Sequence, residues 1–310
     1  MDVWFLLTPG YLALDLAGPA EALRIAAEEG VPFRLHMAGP KAACPNSLGL
    51  VSQLDPLPLA LPSDAWVVLC GNRDEVTDYA TPAADALVAW LRTHAQPPRR
   101  VATICSGALL AARAGLLDGR QCTTHHALTG MLTRLAPRAR VVENRTYVRD
   151  GPLWTSAGIT AGIDLALALI EEVAGPAVVA RVARRMVVYL RRSGDDPQLS
   201  PWLAYRNHLH PAVHRAQDLI ARDPAAAWSV EALAESVHVS ARHLTRLFRQ
   251  ETGIGIVEYQ QRLRVARARQ LIGQGASVER AAEGAGFGSA RALRRVWQKF
   301  EPGTPGQLRI

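Results

Sequence analysis

Along the first 190 residues, short apolar β-rich runs alternate with stretches whose apolar positions recur at helical spacing. Residues 3–7, 33–38, 65–69 and 101–104 are the runs, and the helical patterns between them include 19–29 and 85–94. Continuous apolar runs separated by such helices predict a parallel sheet covered on both faces. The segment Tyr147-Val148-Arg149-Asp150-Gly151-Pro152-Leu153-Trp154 predicts a hairpin turned at Asp150-Gly151, and helices at 159–173 and 176–190 close the domain. Ser193-Gly194-Asp195-Asp196-Pro197-Gln198-Leu199-Ser200-Pro201 is polar and rich in breakers, as a linker is. After His210 the pattern is helical throughout. The expectation is an α/β domain over residues 1–192, a linker over 193–210 and an all-α domain over 211–310.

Charge divides at the same place. Residues 1–190 hold 17 Arg+Lys against 17 Asp+Glu, whereas 191–310 hold 18 against 11, so the net +7 lies wholly in the helical part. A neutral domain joined to a basic one predicts a small-molecule or interaction module fused to a polyanion-binding module. The chain has 310 residues, 49% of them apolar, which is enough to fill two cores. Its start lacks the basic segment of a signal peptide, and no apolar run of about 18 residues occurs, so a cytoplasmic protein with no membrane contact is expected. Cys44, Cys70, Cys105 and Cys122 are then expected to be thiols.

The helical part contains an internal repeat. Val230-Glu231, Ala234, Arg242, Leu244, Arg246 and Phe248 recur as Val278-Glu279, Ala282, Arg291, Leu293, Arg295 and Trp297, at an offset of 48 and then 49. Each copy reads as helix, turn, helix, with Ser240 and Ser289 as N-caps of the second helices. On the first of these, Leu244, Leu247, Phe248 and Glu251 share one face, while Arg242, Thr245, Arg246 and Arg249 share the other. On the second, Leu293, Val296, Trp297 and Phe300 point inward, leaving Arg291, Arg294, Arg295 and Gln298 outward. A guanidinium-rich helix face suits the major groove, where arginine pairs with guanine and neutralises phosphate. One such helix is equally a solvated basic face; two capped copies on a repeat point to duplex DNA.

The residues Leu233-Ala234, Ser240-Ala241-Arg242-His243-Leu244-Thr245-Arg246-Leu247-Phe248, Glu251-Thr252-Gly253, Tyr259, Arg262-Leu263, Ala266, Ala268, Leu271-Ile272, Gly286-Phe287 and Pro305 resemble the AraC/XylS family of double helix-turn-helix domains. The resemblance runs from about residue 212 to 310. It implies two subdomains bridged by a long helix, here 256–270, with both recognition helices in successive major-groove segments. It makes Arg242, Thr245, Arg246, Arg291 and Arg295 the base-edge candidates, with Arg249 and Arg294 beside them. Ala290 and Ala292 stand where relatives carry longer polar side chains, so the second copy is expected to rely more on phosphates.

In the first half, the strand at 101–104 runs into Cys105-Ser106-Gly107, which places a cysteine on a tight strand-to-helix turn at a helix N-terminus, where a thiol pKa is lowered. The segments Val101-Ala102-Thr103-Ile104-Cys105-Ser106-Gly107-Ala108-Leu109, Ala114-Gly115-Leu116-Leu117-Asp118-Gly119-Arg120, Thr123-Thr124-His125 and Thr155-Ser156-Ala157-Gly158-Ile159-Thr160-Ala161-Gly162 resemble the nucleophile-elbow region of the ThiJ/PfpI family, a flavodoxin-like, class I glutamine amidotransferase-like fold. Asp15, in Asp15-Leu16-Ala17-Gly18-Pro19-Ala20-Glu21, matches the acidic partner that the family gives its cysteine. Two departures bear on chemistry. Peptidase-like members follow the cysteine with an activating histidine, where this chain has Ser106, and Asn72 replaces one glycine of a usual pair after Cys70. Asn tolerates positive φ, which leaves room for backbone oxyanion donors at Gly71 and Asn72. The candidate pocket is therefore Asp15, Gly71, Asn72, Cys105, Ser106 and His125, with Cys105 and Asp15 catalytic only if the domain is an enzyme.

Both halves in this order resemble GlxA-type regulators. That resemblance implies a transcription regulator, an activator, that binds an operator duplex, contacts RNA polymerase, forms a homodimer and answers an unknown small-molecule effector, with no cofactor and no metal. The rival readings are an isonitrile hydratase-like enzyme fused to a DNA anchor, and a redox sensor at Cys105.

Overall fold

The computed structural model describes residues 1–73, 79–188, 192–194, 196–199, 201–206, 208–301 and 303–307. Two compact units divide it, Met1–Gln198 and Leu199–Ile310. Leu190, the expected end of the second closing helix, and Asp195, Ser200 and Asn207 of the expected linker lie outside the described residues.

In the first unit the chain runs through β1 (Asp2–Leu6), α1 (Ala13–Glu28), β2 (Arg34–Gly39), β3 (Ala43–Pro45), β4 (Val51–Gln53), β5 (Asp55–Pro56), β6 (Trp66–Leu69), α2 (Pro82–His94) and β7 (Arg100–Ile104). It continues through α3 (Gly107–Arg113), β8 (Gln121–Cys122), α4 (Thr129–Leu135), β9 (Arg140–Val141), β10 (Tyr147–Asp150), β11 (Leu153–Ser156) and α5 (Ala161–Arg185). Among the described residues the main sheet has the order β10-β11-β7-β6-β1-β2-β5. It is parallel except for the β10–β11 hairpin at Asp150-Gly151, as the pattern predicts. The central strands carry apolar side chains on both faces because helices cover both. Leu23, Ile25, Leu165, Leu169 and Ile170 of α1 and α5 fill one side, and Leu87, Val88, Leu91, Leu109 and Leu132 of α2, α3 and α4 fill the other. This is the flavodoxin-like α/β arrangement.

α1 begins at Ala13 rather than at the expected residue 19, so Pro19 lies in the second turn of the helix. Proline donates no N–H, so the carbonyl of Asp15 loses its partner within the helix; it accepts instead from Cys70 Sγ, 3.5 Å away. Gly18 is equally placed for a reason: a Cβ there would stand 2.8 Å from Ile163 Cγ1 of α5. The crossing of α1 and α5 at these small residues carries Asp15 to the start of α5. The two helices expected over 159–190 form one element that breaks at Gly175, whose φ of 77° and ψ of 172° interrupt the helical turn.

The second unit is helical: α6 (Pro201–Ala204), α7 (Pro211–Arg222), α8 (Val230–Ser236), α9 (Ala241–Thr252), α10 (Ile256–Gly273), α11 (Val278–Gly284) and α12 (Ala290–Trp297). It has two small cores. α7, α8 and α9 enclose Val213, Ile220, Leu233, Leu244 and Phe248, and α11 and α12 enclose Ala281, Ala282, Leu293 and Trp297. α10 serves both, giving Ile256, Tyr259 and Leu263 to the first and Val265, Ala268 and Ile272 to the second. No helix among the described residues is long and apolar enough to cross a membrane.

Candidate functional site

The α/β unit places Asp15 and Cys105 against the same two backbone segments. Cys105 follows β7 with φ of 55°, in the left-handed region, and is 5% exposed. That strain is held by its surroundings: its amide donates to Ser156 O at 3.1 Å and its carbonyl accepts from Thr124 Oγ1 at 2.8 Å. A Cβ on Gly158 would lie 2.1 Å from Cys105 Cβ, and one on Gly71 would lie 2.7 Å from Asp15 Oδ2 and 2.8 Å from Cys105 Cβ. Only glycine permits these approaches, so Gly71 and Gly158 are walls of the site.

Asp15 has no exposed surface. Its Oδ1 accepts the amide of Ile159 at 2.7 Å and its Oδ2 the amide of Gly71 at 3.1 Å. Burial pushes its pKa up to about 6, and the two amide hydrogen bonds pull it down by less. The carboxylate braces the two walls that Gly71 and Gly158 form.

The expectation that Gly71 and Asn72 offer free oxyanion donors is corrected by the geometry. Neither has positive φ. The Gly71 amide is spent on Asp15, and the Asn72 amide donates to Ser106 Oγ at 2.8 Å. Asn72 is buried, its Oδ1 accepting from Thr8 Oγ1 at 3.2 Å and its Nδ2 donating to Pro9 O at 3.1 Å, so its side chain fastens the loop after β1. Ser106 is fully buried and also bonds Tyr79 Oη at 3.1 Å. His125 is half-buried; it caps a short 3₁₀ turn, His126–Leu128, with Nδ1 accepting from Ala127 N at 3.4 Å, and its ring lies 4.3 Å from that of His126. Its neighbour Thr124 is bonded through its hydroxyl to the Cys105 carbonyl. The other thiols are free and buried, and burial pushes Cys44 and Cys122 up to about 11 and Cys70 well above the ordinary range.

Three residues that the pattern did not single out complete the assembly. Gln198 Nε2 donates to Thr124 O at 2.8 Å; Arg192 pairs with Asp164 through Nε at 2.8 Å and reaches Thr160 Oγ1 at 3.0 Å; Asp196 O accepts from Thr146 N at 2.9 Å. The last stretch of the first unit is thus tied to Thr124 and Thr160, which adjoin the two sides of the Asp15–Cys105 site. Nothing local in the sequence marks these ties.

In the helical unit, Ser240 accepts from His243 N at 3.3 Å and Ser289 from Ala292 N at 3.1 Å, the N-caps expected of α9 and α12. Ser229 and Ser277 cap α8 and α11 in the same way, accepting from Ala232 N at 3.0 Å and Arg280 N at 3.2 Å. Leu244, Leu247, Phe248, Leu293, Val296 and Trp297 are buried, while Arg242, Thr245, Arg246, Arg249, Arg291, Arg294 and Arg295 are exposed. Arg242, Arg249, Arg291 and Arg295 make no ion pair or hydrogen bond among the described residues, so their guanidinium groups are available to a partner. Arg246 touches Gln250 Oε1 at 3.4 Å and His243 Nδ1 at 3.3 Å, contacts weak enough to exchange. Arg294 lies 3.7 Å from Glu279 of α11. The repeat shows in the turns as well. His238 and Gly286, 48 residues apart, both take positive φ, 59° and 79°.

The DJ-1/PfpI family model matches residues 1–172, and a helix-turn-helix domain model matches 233–310. The chain belongs to the DJ-1/PfpI family, in the arrangement that joins such a domain to an AraC-type helix-turn-helix domain. It is 31% identical to the HTH-type transcriptional regulator CdhR of Pseudomonas aeruginosa, over 99% of this chain and 91% of that protein. It is 28% identical to the HTH-type transcriptional regulator GlxA of Rhizobium meliloti, over 99% and 95%. An isonitrile hydratase of Pseudomonas putida is 33% identical over 56% of this chain and 73% of the enzyme.

Proposed function

We propose that the protein is a sequence-specific, DNA-binding transcriptional regulator of the cytoplasm, an activator that contacts RNA polymerase. Residues 1–192 bind a small metabolite without turning it over and pair with a second copy, 193–210 link, and 211–310 hold the operator. The observation that carries this reading is the pair of exposed arginine faces, Arg242, Arg246 and Arg249 on α9 and Arg291 and Arg295 on α12, each backed by its own small core. Guanidinium groups that are unengaged within the fold, or held as weakly as that of Arg246, are what phosphates and guanine edges take.

In the first unit, Ser106 stands where an activating histidine would follow the cysteine, and the amides of Gly71 and Asn72 are used inside the fold. Both favour binding over catalysis. Asp15, Gly71, Asn72, Cys105, Ser106 and His125 line or support the effector site. An effector that shifts either wall of that site pulls on the outgoing chain through Thr124–Gln198 or Thr160–Arg192. The enzymatic alternative rests on the proximity of Cys105 to Asp15 and on the likeness of part of the chain to an isonitrile hydratase.

One experiment separates the two. Genome-wide occupancy identifies the operator and, from neighbouring metabolic genes, the candidate inducers. Operator binding is then titrated with inducer for wild type and Cys105→Ser, with product analysis of the inducer. Sensing without catalysis leaves the inducer intact and the variant responsive; turnover that disappears with Cys105→Ser, together with the response, establishes the enzyme instead.

A further inference from the structure

The two helix-turn-helix halves share α10, but a second strut also joins them. The loop between α7 and α8 is held from α10 by Gln260 and Arg264. Gln260 Nε2 donates to Ala226 O at 2.8 Å, Arg264 Nε to Pro224 O at 2.7 Å, and Arg264 Nη2 to Ala226 O at 2.8 Å and Ala225 O at 3.3 Å. The loop is closed on itself by Asp223, whose Oδ1 accepts from Ala225 N at 3.1 Å and whose carbonyl accepts from Trp228 Nε1 at 3.1 Å. Its far side rests on the other half: a Cβ on Gly286, in the turn before α12, would stand 2.4 Å from Ala225 O. In the first half the equivalent turn residue is the exposed His238.

Arg264 lies between Leu263, which packs into the first core, and Val265, which packs into the second. It meets three carbonyls, and burial lowers its pKa below the ordinary arginine value, offset in part by the nearby charge of Asp223. A lone helix joining two small cores bends and twists, because nothing off its axis resists rotation of one core against the other. A second contact away from that axis removes this freedom.

We propose that Gln260, Arg264 and Gly286 determine how strictly the protein reads the spacing between its two DNA elements. The loop and α10 together fix the separation and angle of α9 and α12, so the two recognition helices accept one register on the duplex. One inserted base pair moves the second element by about 3.4 Å and about 35° around the axis, more than a clamped pair of helices follows. This inference rests on the DNA-binding reading given above.

The test uses the full chain. Selection from a random duplex pool defines the preferred two-element site, and binding is then measured on that site and on the same site with one base pair inserted between the elements. Wild type is expected to lose about 30-fold or more on insertion, whereas Arg264→Met loses about threefold or less, with affinity for the native spacing lowered by about tenfold. A role confined to stability lowers both affinities alike and leaves their ratio unchanged. Gln260→Met, with Arg264 intact, relaxes the ratio to a smaller degree and takes over the comparison if Arg264→Met does not fold by circular dichroism. A folded variant whose insertion penalty equals that of wild type overturns the proposal, as does a wild-type protein indifferent to spacing. A wild-type chain that enriches no duplex at all removes the DNA-binding reading instead.

Discussion

Asp15 Oδ1 accepts the amide of Ile159 at 2.7 Å, across 144 residues of chain, and so links the first turn of α1 to the start of α5 beside Cys105. Because burial raises its pKa to about 6, Asp15 holds a proton more readily in the folded chain than in the unfolded one, where 3.8 is the ordinary value. Its contribution to stability is therefore fully present below the unfolded pKa and is lost as pH rises through the folded one. Relative to Asp15→Asn, wild type is expected to lose about 1–3 kcal/mol of stability between about pH 4 and pH 7. Urea denaturation of both proteins across that range measures it, and parallel pH profiles would contradict it.

Gly158 has φ of 83° and its backbone faces the Cβ of Cys105. Gly158→Ala adds a Cβ where none fits and is expected to destabilise the first unit by about 3 kcal/mol or more. Cys105→Ser, nearly isosteric, is expected to cost less than about 1.5 kcal/mol. Denaturation midpoints of the two variants decide it; similar losses would mean that the wall relaxes around the added carbon.

The arginine faces predict graded effects on the operator. Arg246→Ala and Arg295→Ala should each cost about 1–3 kcal/mol and relax base preference. Arg294→Ala should cost less, since Arg294 already lies by Glu279. Fluorescence anisotropy on operator and random duplex at several salt concentrations checks both statements. Equal losses on the two duplexes would reduce Arg246 and Arg295 to phosphate contacts.

His238 occupies, in the first half, the left-handed position that Gly286 occupies in the second. It is exposed, so replacing it removes strain without removing packing. His238→Gly is expected to stabilise the second unit by up to about 1 kcal/mol, the strain relieved exceeding the added chain entropy. A lower denaturation midpoint for the variant would show that the side chain holds the turn.

The hairpin of β3 and β4 presents Leu48, Leu50 and Val51 at 73%, 65% and 59% exposure. These side chains are the candidate surface for a second copy, which would lengthen the DNA site and multiply affinity. Residues 1–198 should sediment as a dimer at micromolar concentration, and Leu50→Glu should shift them to monomer. A fragment that is monomeric before the substitution refutes the pairing.

Much of this molecule is legible in its sequence because the relevant signals are local. The apolar runs at 3–7 and 101–104 and the hairpin at Asp150-Gly151 mark the sheet; the caps Ser240 and Ser289 and the alternating arginine and leucine positions mark the two helix-turn-helix halves. Even Cys105 on its turn follows from a strand running into small residues. Each signal spans a few residues, within which backbone geometry and side-chain period decide the outcome. The start of α1 escaped this logic, because Pro19 reads as a first-turn residue unless Cys70 is known to stand by the freed carbonyl.

Tertiary structure alone decided where the polar groups of the site are spent. Asn72 was legible as a residue tolerant of positive φ, yet its amide goes to Ser106 and its side chain to Thr8 and Pro9. The same holds for Gln198 at Thr124, and for Arg264, one more arginine in a basic helix until Pro224, Ala225 and Ala226 are brought beneath it. A carboxylate, an amide or a guanidinium has many acceptable partners, and chain composition does not rank them. Only when the packing of distant segments removes water does each buried group have to take the partner within reach.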